Sequence, residues 1–125
     1  MPDSAPPFRL HPRLRLKDGA TLVLGPGRID LLERIRDSGS ISAAARAMGM
    51  SYRRAWLLVE AVNLSFRTPL VESVTGGQRG GGARLTATGE AVVALYRQME
   101  EEACRAMAPA QTQLEALLSP SSPQI

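Results

Sequence analysis

Between residues 28 and 64 the apolar positions recur every three or four residues, whereas at 13–17 and 70–74 they alternate with polar ones. The first pattern marks helices with one buried face and the second marks half-buried strands. Arg13-Leu-Arg-Leu-Lys17 predicts a strand, Asp18-Gly19 a hairpin turn, and residues 20–24 the returning strand. Gly25-Pro26-Gly27 is expected to break the chain. A helix then covers 28–37, with Ile29, Leu31, Leu32 and Ile35 facing inward and Ser38-Gly39 ending it. Ser40 is placed to cap a short helix carrying Ile41, Ala44, Ala45 and Met48. Ala43 to Ala45 leave room for close approach of a neighbouring helix, and Gly49 supplies the left-handed residue that ends it.

A second helix follows over about 51–64, capped by Ser51. Its core stripe is Ala55, Leu58, Val59 and Val62. Arg53, Leu57 and Glu60 fall roughly opposite with Arg54 flanking, so at least one of the two arginines points outward. Tyr52 and Trp56 sit on the shoulder of the stripe, and Trp56 is expected to pack into the domain. Small-residue helix, glycine turn and second helix opening on arginines together read as a helix-turn-helix.

Beyond Thr68-Pro69 the alternation at 70–74 predicts a strand. Residues 75–83 hold five glycines and carry Gln78 and Arg79, and 83–86 pairs back. A glycine-rich tip between two strands is the wing of a winged helix. The longest helix is expected over 88–107, capped by Thr88, with Val92, Leu95, Tyr96, Met99 and Ala103 as its stripe. Such a helix outruns so small a core and leaves apolar surface for a partner subunit. Pro109 is expected to interrupt it, with a short helix over 111–118 carrying Leu114, Leu117 and Leu118. The fold class is therefore mainly α with small β: a winged helix-turn-helix over 13–108 with an N-terminal β-hairpin and a long C-terminal helix. Residues 1–12 form a flexible proline-rich arm, and 109–125 a short helix and disordered tail.

Composition narrows the function. At 125 residues, 44% hydrophobic and 22% charged, the chain supports one globular core. No apolar run approaches the roughly 20 residues that cross a bilayer. No basic start leads into an apolar core, so no secretory signal is expected. The single cysteine, Cys104, excludes an intrachain disulfide and fits a reducing cytoplasm. His11 and Cys104 stand far apart in the chain, so neither a metal nor a cofactor is expected. Net charge is +3, but residues 1–84 carry +6 and 85–125 carry −3. That asymmetry suits a polyanion on one side, or serves solubility alone.

The candidate chemistry sits in three places. Arg53 and Arg54 are the residue type that reads guanine O6 and N7 through two hydrogen bonds. Ser51 and its helix start suit a phosphate. Arg79 and Arg84, on the wing, add charge neutralisation with strong salt dependence. An ordinary helical hairpin with two surface arginines is the bland alternative. A phosphate-cradling nucleotide loop is disfavoured, because the glycine loop runs strand to strand and lacks a lysine. A lone histidine in the arm and a mid-helix cysteine leave no set for catalysis, and Glu100, Glu101 and Glu102 read as a solvated acidic patch. A protein-interaction module without DNA specificity of its own is the rival from another class.

Taken together, Gly39-Ser-Ile-Ser-x-Ala-Ala45, Gly49-Met-Ser-Tyr-x-x-Ala-Trp56, Val62-Asn63, Pro69-Leu-Val71, Gly76-Gly-x-x-Gly-Gly-Gly-Ala83, Leu85-Thr86, Gly89 and Leu95-Tyr96 resemble one known domain. It is the N-terminal DNA-binding domain of the ModE family of molybdate-responsive transcriptional regulators, whose winged helix is related to that of LysR-type regulators. The resemblance covers about residues 14–107. It implies a cytoplasmic homodimer bound to double-stranded DNA at a palindromic operator near molybdenum-related genes. The recognition role falls by position on Ser51, Tyr52, Arg53 and Arg54, and the wing contacts on Gln78, Arg79 and nearby glycines. In that family the chain continues into a molybdate-binding region of two small β-barrel repeats, which has no counterpart here, so molybdate binding is not expected. Either the homologue is naturally short or the chain is cut after its first domain, and its Ser/Pro-rich end favours the former.

Overall fold

A computed structural model of the chain describes residues 8–77 and 80–119. In chain order the elements are β1 (Leu16–Asp18), β2 (Thr21–Leu24), α1 (Pro26–Ser38), α2 (Ile41–Ala47), α3 (Tyr52–Ser65), β3 (Val71–Gly77), β4 (Gly80–Leu85) and α4 (Ala87–Glu115). This is the expected winged helix-turn-helix: two antiparallel hairpins, β1–β2 and β3–β4, with three helices between them and a long helix after the second. Asp18 ends β1 opposite Thr21, so Gly19 and Ala20 make the first turn, one residue on from the expected Asp18-Gly19, and Gly19 adopts φ 61°. The second hairpin pairs Val71 with Leu85 and Glu72 with Arg84, and Gly77 with Gly80 beyond a register shift.

The core draws on every helix. Ile29, Leu31, Leu32 and Ile35 of α1 are fully buried, each contributing about 1.5–3 kcal/mol of hydrophobic stabilisation. They meet Ala44 and Ala45 of α2, Ala55, Val59 and Val62 of α3, Leu70 and Val71, Ala83 and Leu85, and Val93 and Tyr96 of α4. Alanines at the α2 and α3 contacts keep the two helices of the motif close. Ser40 and Ser51 cap them as expected, their hydroxyls accepting from the amides of Ala43 at 3.0 Å and Arg54 at 3.1 Å. Gly39 (φ 73°) ends α1 and Gly49 (φ 68°) closes the turn between α2 and α3.

Three further local expectations are corrected. Gly25-Pro26-Gly27 starts a helix and does not break the chain, because proline's fixed φ and missing N–H suit a first turn. Thr86, not Thr88, caps α4: its Oγ1 accepts from the Gly89 amide at 3.0 Å and donates to the Pro69 carbonyl at 2.7 Å. The Thr88 hydroxyl bonds that of Thr68 instead, at 2.7 Å. Finally, α4 runs through Pro109 to Glu115 without a separate last helix. The carbonyl freed at Arg105 lies on an exposed turn, where water can bond it, so the break that proline enforces inside a core is not required.

The face α4 buries also differs from the expected stripe. Gly89, Val93 and Tyr96 are buried and Val92 packs at the edge, whereas Leu95 is 57% and Met99 44% exposed. Gly89 sets this rotation by lying against the Leu70 carbonyl, too close for any Cβ. Tyr96 then reaches back to the N-terminal segment, its hydroxyl donating to the Leu14 carbonyl at 2.7 Å. Burial pushes the Tyr96 phenol above its ordinary pKa. Beside it, Arg97 joins α1 to α4 by two bonds to the Glu33 carboxylate, at 2.6 and 3.0 Å, with Glu100 at 2.9 Å and Asp30 at 3.1 Å. These bonds hold the guanidinium in its charged form and draw the Glu33 carboxyl below its usual range, against the opposing effect of partial burial.

Candidate nucleic-acid interface

Helix α3 is anchored from behind and free in front. Ala55, Val59 and Val62 sit in the core, so the opposite side of the same turns must face out. Ser51, Tyr52, Arg53 and Arg54 are all exposed. The sequence required one outward arginine, and the structure delivers both. The Ser51 hydroxyl oxygen accepts from the Arg54 amide, so it holds the helix start in place and leaves its hydrogen available for donation. Among the described residues neither Arg53 nor Arg54 has a carboxylate partner, in contrast to Arg97, Arg36 and Arg84.

A third arginine joins them from elsewhere in the chain. Arg28, in the first turn of α1, donates to the Val23 carbonyl at 3.3 Å and lines a shallow cleft with Ser51, Arg53, Arg54, Leu57, Leu58 and Ala61. Among the described residues no acidic side chain lines it. Three guanidinium groups around one concave surface concentrate positive potential where the helix opens. No pattern in the sequence signals Arg28, because 25 residues separate it from Arg53 and only the α1–α3 packing brings them together.

On its other flank, α3 borders a cleft lined by Ser40, Ile41 and Ser42 at the start of α2, Tyr52 and Trp56 of α3, and Ser73, Gly82 and Ala83 of the wing strands. Trp56 is 42% exposed here and does not pack into the core as expected. Its position lies beyond the edge of the arc that Ala55, Val59 and Val62 close.

The wing is fixed at its base. The Ala83 amide donates to the Gly39 carbonyl at 3.0 Å, tying β4 to the turn between α1 and α2. On the other strand, Asn63 at the end of α3 is a residue whose role the sequence did not reveal. Its Oδ1 accepts from the amides of Leu70 (2.8 Å) and Val71 (3.1 Å), and its Nδ2 donates to the Val71 carbonyl at 3.1 Å. An amide side chain imitating a neighbouring strand fixes the exit from α3 into β3, and a polar residue near a helix end is the one hint of it in the sequence. Arg84 is exposed on β4, opposite Glu72 and 3.5 Å from its carboxylate, so part of its charge is balanced by its cross-strand neighbour. Gln78 and Arg79 lie outside the described residues.

His11 and Cys104, distant in sequence, line one cleft beside α4 together with Arg97, Glu100, Glu101 and Glu102. Among the described residues, no three His, Cys, Asp or Glu side chains converge on a point that could hold an ion. No helix of the described residues is long and apolar enough to cross a membrane.

The comparisons with known proteins agree with this geometry. The sequence profile described as bacterial regulatory helix-turn-helix protein, lysR family, matches residues 27–90. That span runs from the first turn of α1 through the wing into α4. The molybdenum-pterin-binding protein MopA of Rhodobacter capsulatus is 43% identical over 84 residues, covering 67% of this chain and 32% of MopA. The molybdenum transport protein ModE of Azotobacter vinelandii is 40% identical over 94 residues, 75% of this chain and 35% of that protein. The chain thus spans about a third of the length of the curated relatives it matches. The fold recurs in the crystal structure of the CbnR DNA-binding domain–DNA complex, with a TM-score of 0.53 at 22% identity, over 70% of this chain and 95% of that one. With its helix-turn-helix, wing and α4 start inside the matched span, and ModE proteins among its relatives, the chain belongs to the bacterial regulatory helix-turn-helix family of lysR type.

Proposed function

We propose that this chain is the DNA-binding unit of a ModE-like transcriptional regulator, acting in the cytoplasm as a dimer on a two-fold operator linked to molybdenum metabolism, and that it is a binding protein without catalytic activity. The observation that carries the reading is the pair of exposed, carboxylate-free guanidinium groups at the capped start of α3, with Arg28 beside them. In this reading Arg53 and Arg54 take guanine edges in the major groove. Ser51, with Arg28, meets phosphate. Arg79 and Arg84 of the wing neutralise the flanking backbone and Gln78 contacts it, and the relatives named for molybdenum support the regulated genes. The folded unit is taken as residues 13–115, since α4 continues past the expected boundary at 108 to Glu115.

The exposed apolar arc of α4 supplies the second copy. Leu95, Met99, Met107 and Leu114 are exposed and, at about 100° per residue, fall within about 120° of one another. Two such helices packed together would bury these side chains in a two-fold interface.

Selection of duplexes from a randomised library, followed by titration at several salt concentrations, tests the reading. The wild-type chain is expected to enrich a two-fold motif, with affinity falling about 10³-fold between 50 and 200 mM salt if six or more phosphates are neutralised. Replacing both Arg53 and Arg54 by alanine should abolish the preference, at about 1–3 kcal/mol for each arginine–guanine pair removed. An unchanged preference in the double variant would overturn the assignment to Arg53 and Arg54, and the absence of salt-dependent retention on duplex DNA would overturn the regulator reading in favour of a protein-interaction module.

A further inference from the structure

The chain's one tryptophan lies on the outer side of α3, and Tyr52, one turn earlier, is 54% exposed. Residues four apart on a helix stand on the same face, and both side chains line one cleft. The cleft they line continues with Ile41 and Ala83 as apolar walls and Ser40, Ser42 and Ser73 as hydroxyl-bearing ones, and among the described residues no charged side chain lines it. It shares the first turn of α3 with the arginine-lined cleft on the other flank, since Tyr52 borders one and Arg53 and Arg54 the other. Whatever lies across the start of α3 meets both.

The two surfaces differ in chemistry. Phosphate and guanine edges favour the guanidinium side. An uncharged cleft of ring faces and hydroxyls suits a flat, weakly polar group with an apolar projection. Among the base edges exposed in the major groove, the C5 methyl of thymine is that group. We propose that Tyr52 and Trp56 form an apolar ledge that reads a thymine methyl, discriminating thymine from cytosine at a position beside the guanines taken by Arg53 and Arg54. The inference rests on the operator-binding reading and adds to it a base type and two residues that set specificity.

Replacing thymine by deoxyuracil removes the methyl and leaves the pairing unchanged. In the duplex selected by the wild-type chain, this is done one position at a time. One position per half-site is expected to weaken wild-type binding about fourfold, the factor that burying a methyl-sized group supplies. In Trp56→Ala that position should become indifferent to the exchange, whereas Trp56→Phe, which keeps a ring, should retain part of the effect. Thermal melts of each variant establish that it is folded. Because Trp56 is the one tryptophan, its fluorescence should also shift when stoichiometric duplex is added. Duplex binding that is indifferent to every uracil, equal methyl sensitivity in Trp56→Ala, or unchanged fluorescence overturns the ledge while the operator reading stands. Failure of the wild-type chain to bind any duplex overturns both.

Discussion

The Ala83 amide meets the Gly39 carbonyl at 3.0 Å, so strand β4 of the wing is bonded to the turn that opens the helix-turn-helix. The approach is close enough that a Cβ on the adjacent Gly82 would stand 2.7 Å from the same Gly39 oxygen. Backbone on both sides leaves little room to yield. Gly82→Ala is therefore expected to lower stability by about 1–3 kcal/mol, measured by chemical denaturation. It should also weaken duplex binding more than that loss of folded protein explains, because the wing base moves.

Gly89→Ala poses two opposed effects. Alanine in a helix is favoured over glycine by about 1 kcal/mol. Here, however, the added Cβ collides with the Leu70 carbonyl, which also accepts from the Thr86 amide at 2.9 Å. Prising α4 off that strand disturbs the cap and the core together, so the collision outweighs propensity. The expected result is a net loss of about 3 kcal/mol or more, seen as a fall in melting temperature. A stabilised variant would show that α4 is free to rotate.

Asn63→Ala removes the acceptor for two strand amides and the donor to one strand carbonyl. Leaving the Leu70 and Val71 amides without a partner is expected to cost about 2–4 kcal/mol in total. Asn63→Asp keeps the acceptor and loses the donor, so its loss should be smaller. Equal losses in the two variants would mean that the Oδ1 bonds are not the source of the effect.

The Arg97–Glu33 pair makes stability depend on pH in a stated direction. Hydrogen bonds from Arg97 lower the Glu33 pKa in the folded chain. The unfolded chain therefore takes up that proton first as pH falls, and folding is favoured while the carboxyl stays ionised. The contribution is fully present above the ordinary carboxyl value of about 4.5 and is lost as pH drops through the depressed folded value. Melting temperatures measured from pH 6 to pH 3 should fall less steeply for Glu33→Gln than for the wild-type chain. At pH 7 the same variant should be less stable by about 1 kcal/mol, since the pair is partly exposed.

What the sequence determined by itself was local. Periodicity placed α1, α2 and α3, Ser40 and Ser51 capped their helices, Gly39 and Gly49 ended theirs, and Gly19 turned the first hairpin, because each of these depends on residues a few positions apart. The core stripe of α3 likewise implied an outward arginine from spacing alone. Tertiary structure decided whatever depends on distant partners. It chose the buried face of α4, since Gly89 must fit against Leu70, and so turned Leu95 and Met99 outward. It also let the helix pass Pro109 in solvent, gave Arg97 partners 64 and 67 residues away, set Arg28 beside Arg53, and left Trp56 facing a cleft. Periodicity reports that a helix has an apolar side, but an arc as wide as that of α4 can meet the core at several rotations. The one adopted is fixed by the backbone of another element, which no pattern within the helix encodes.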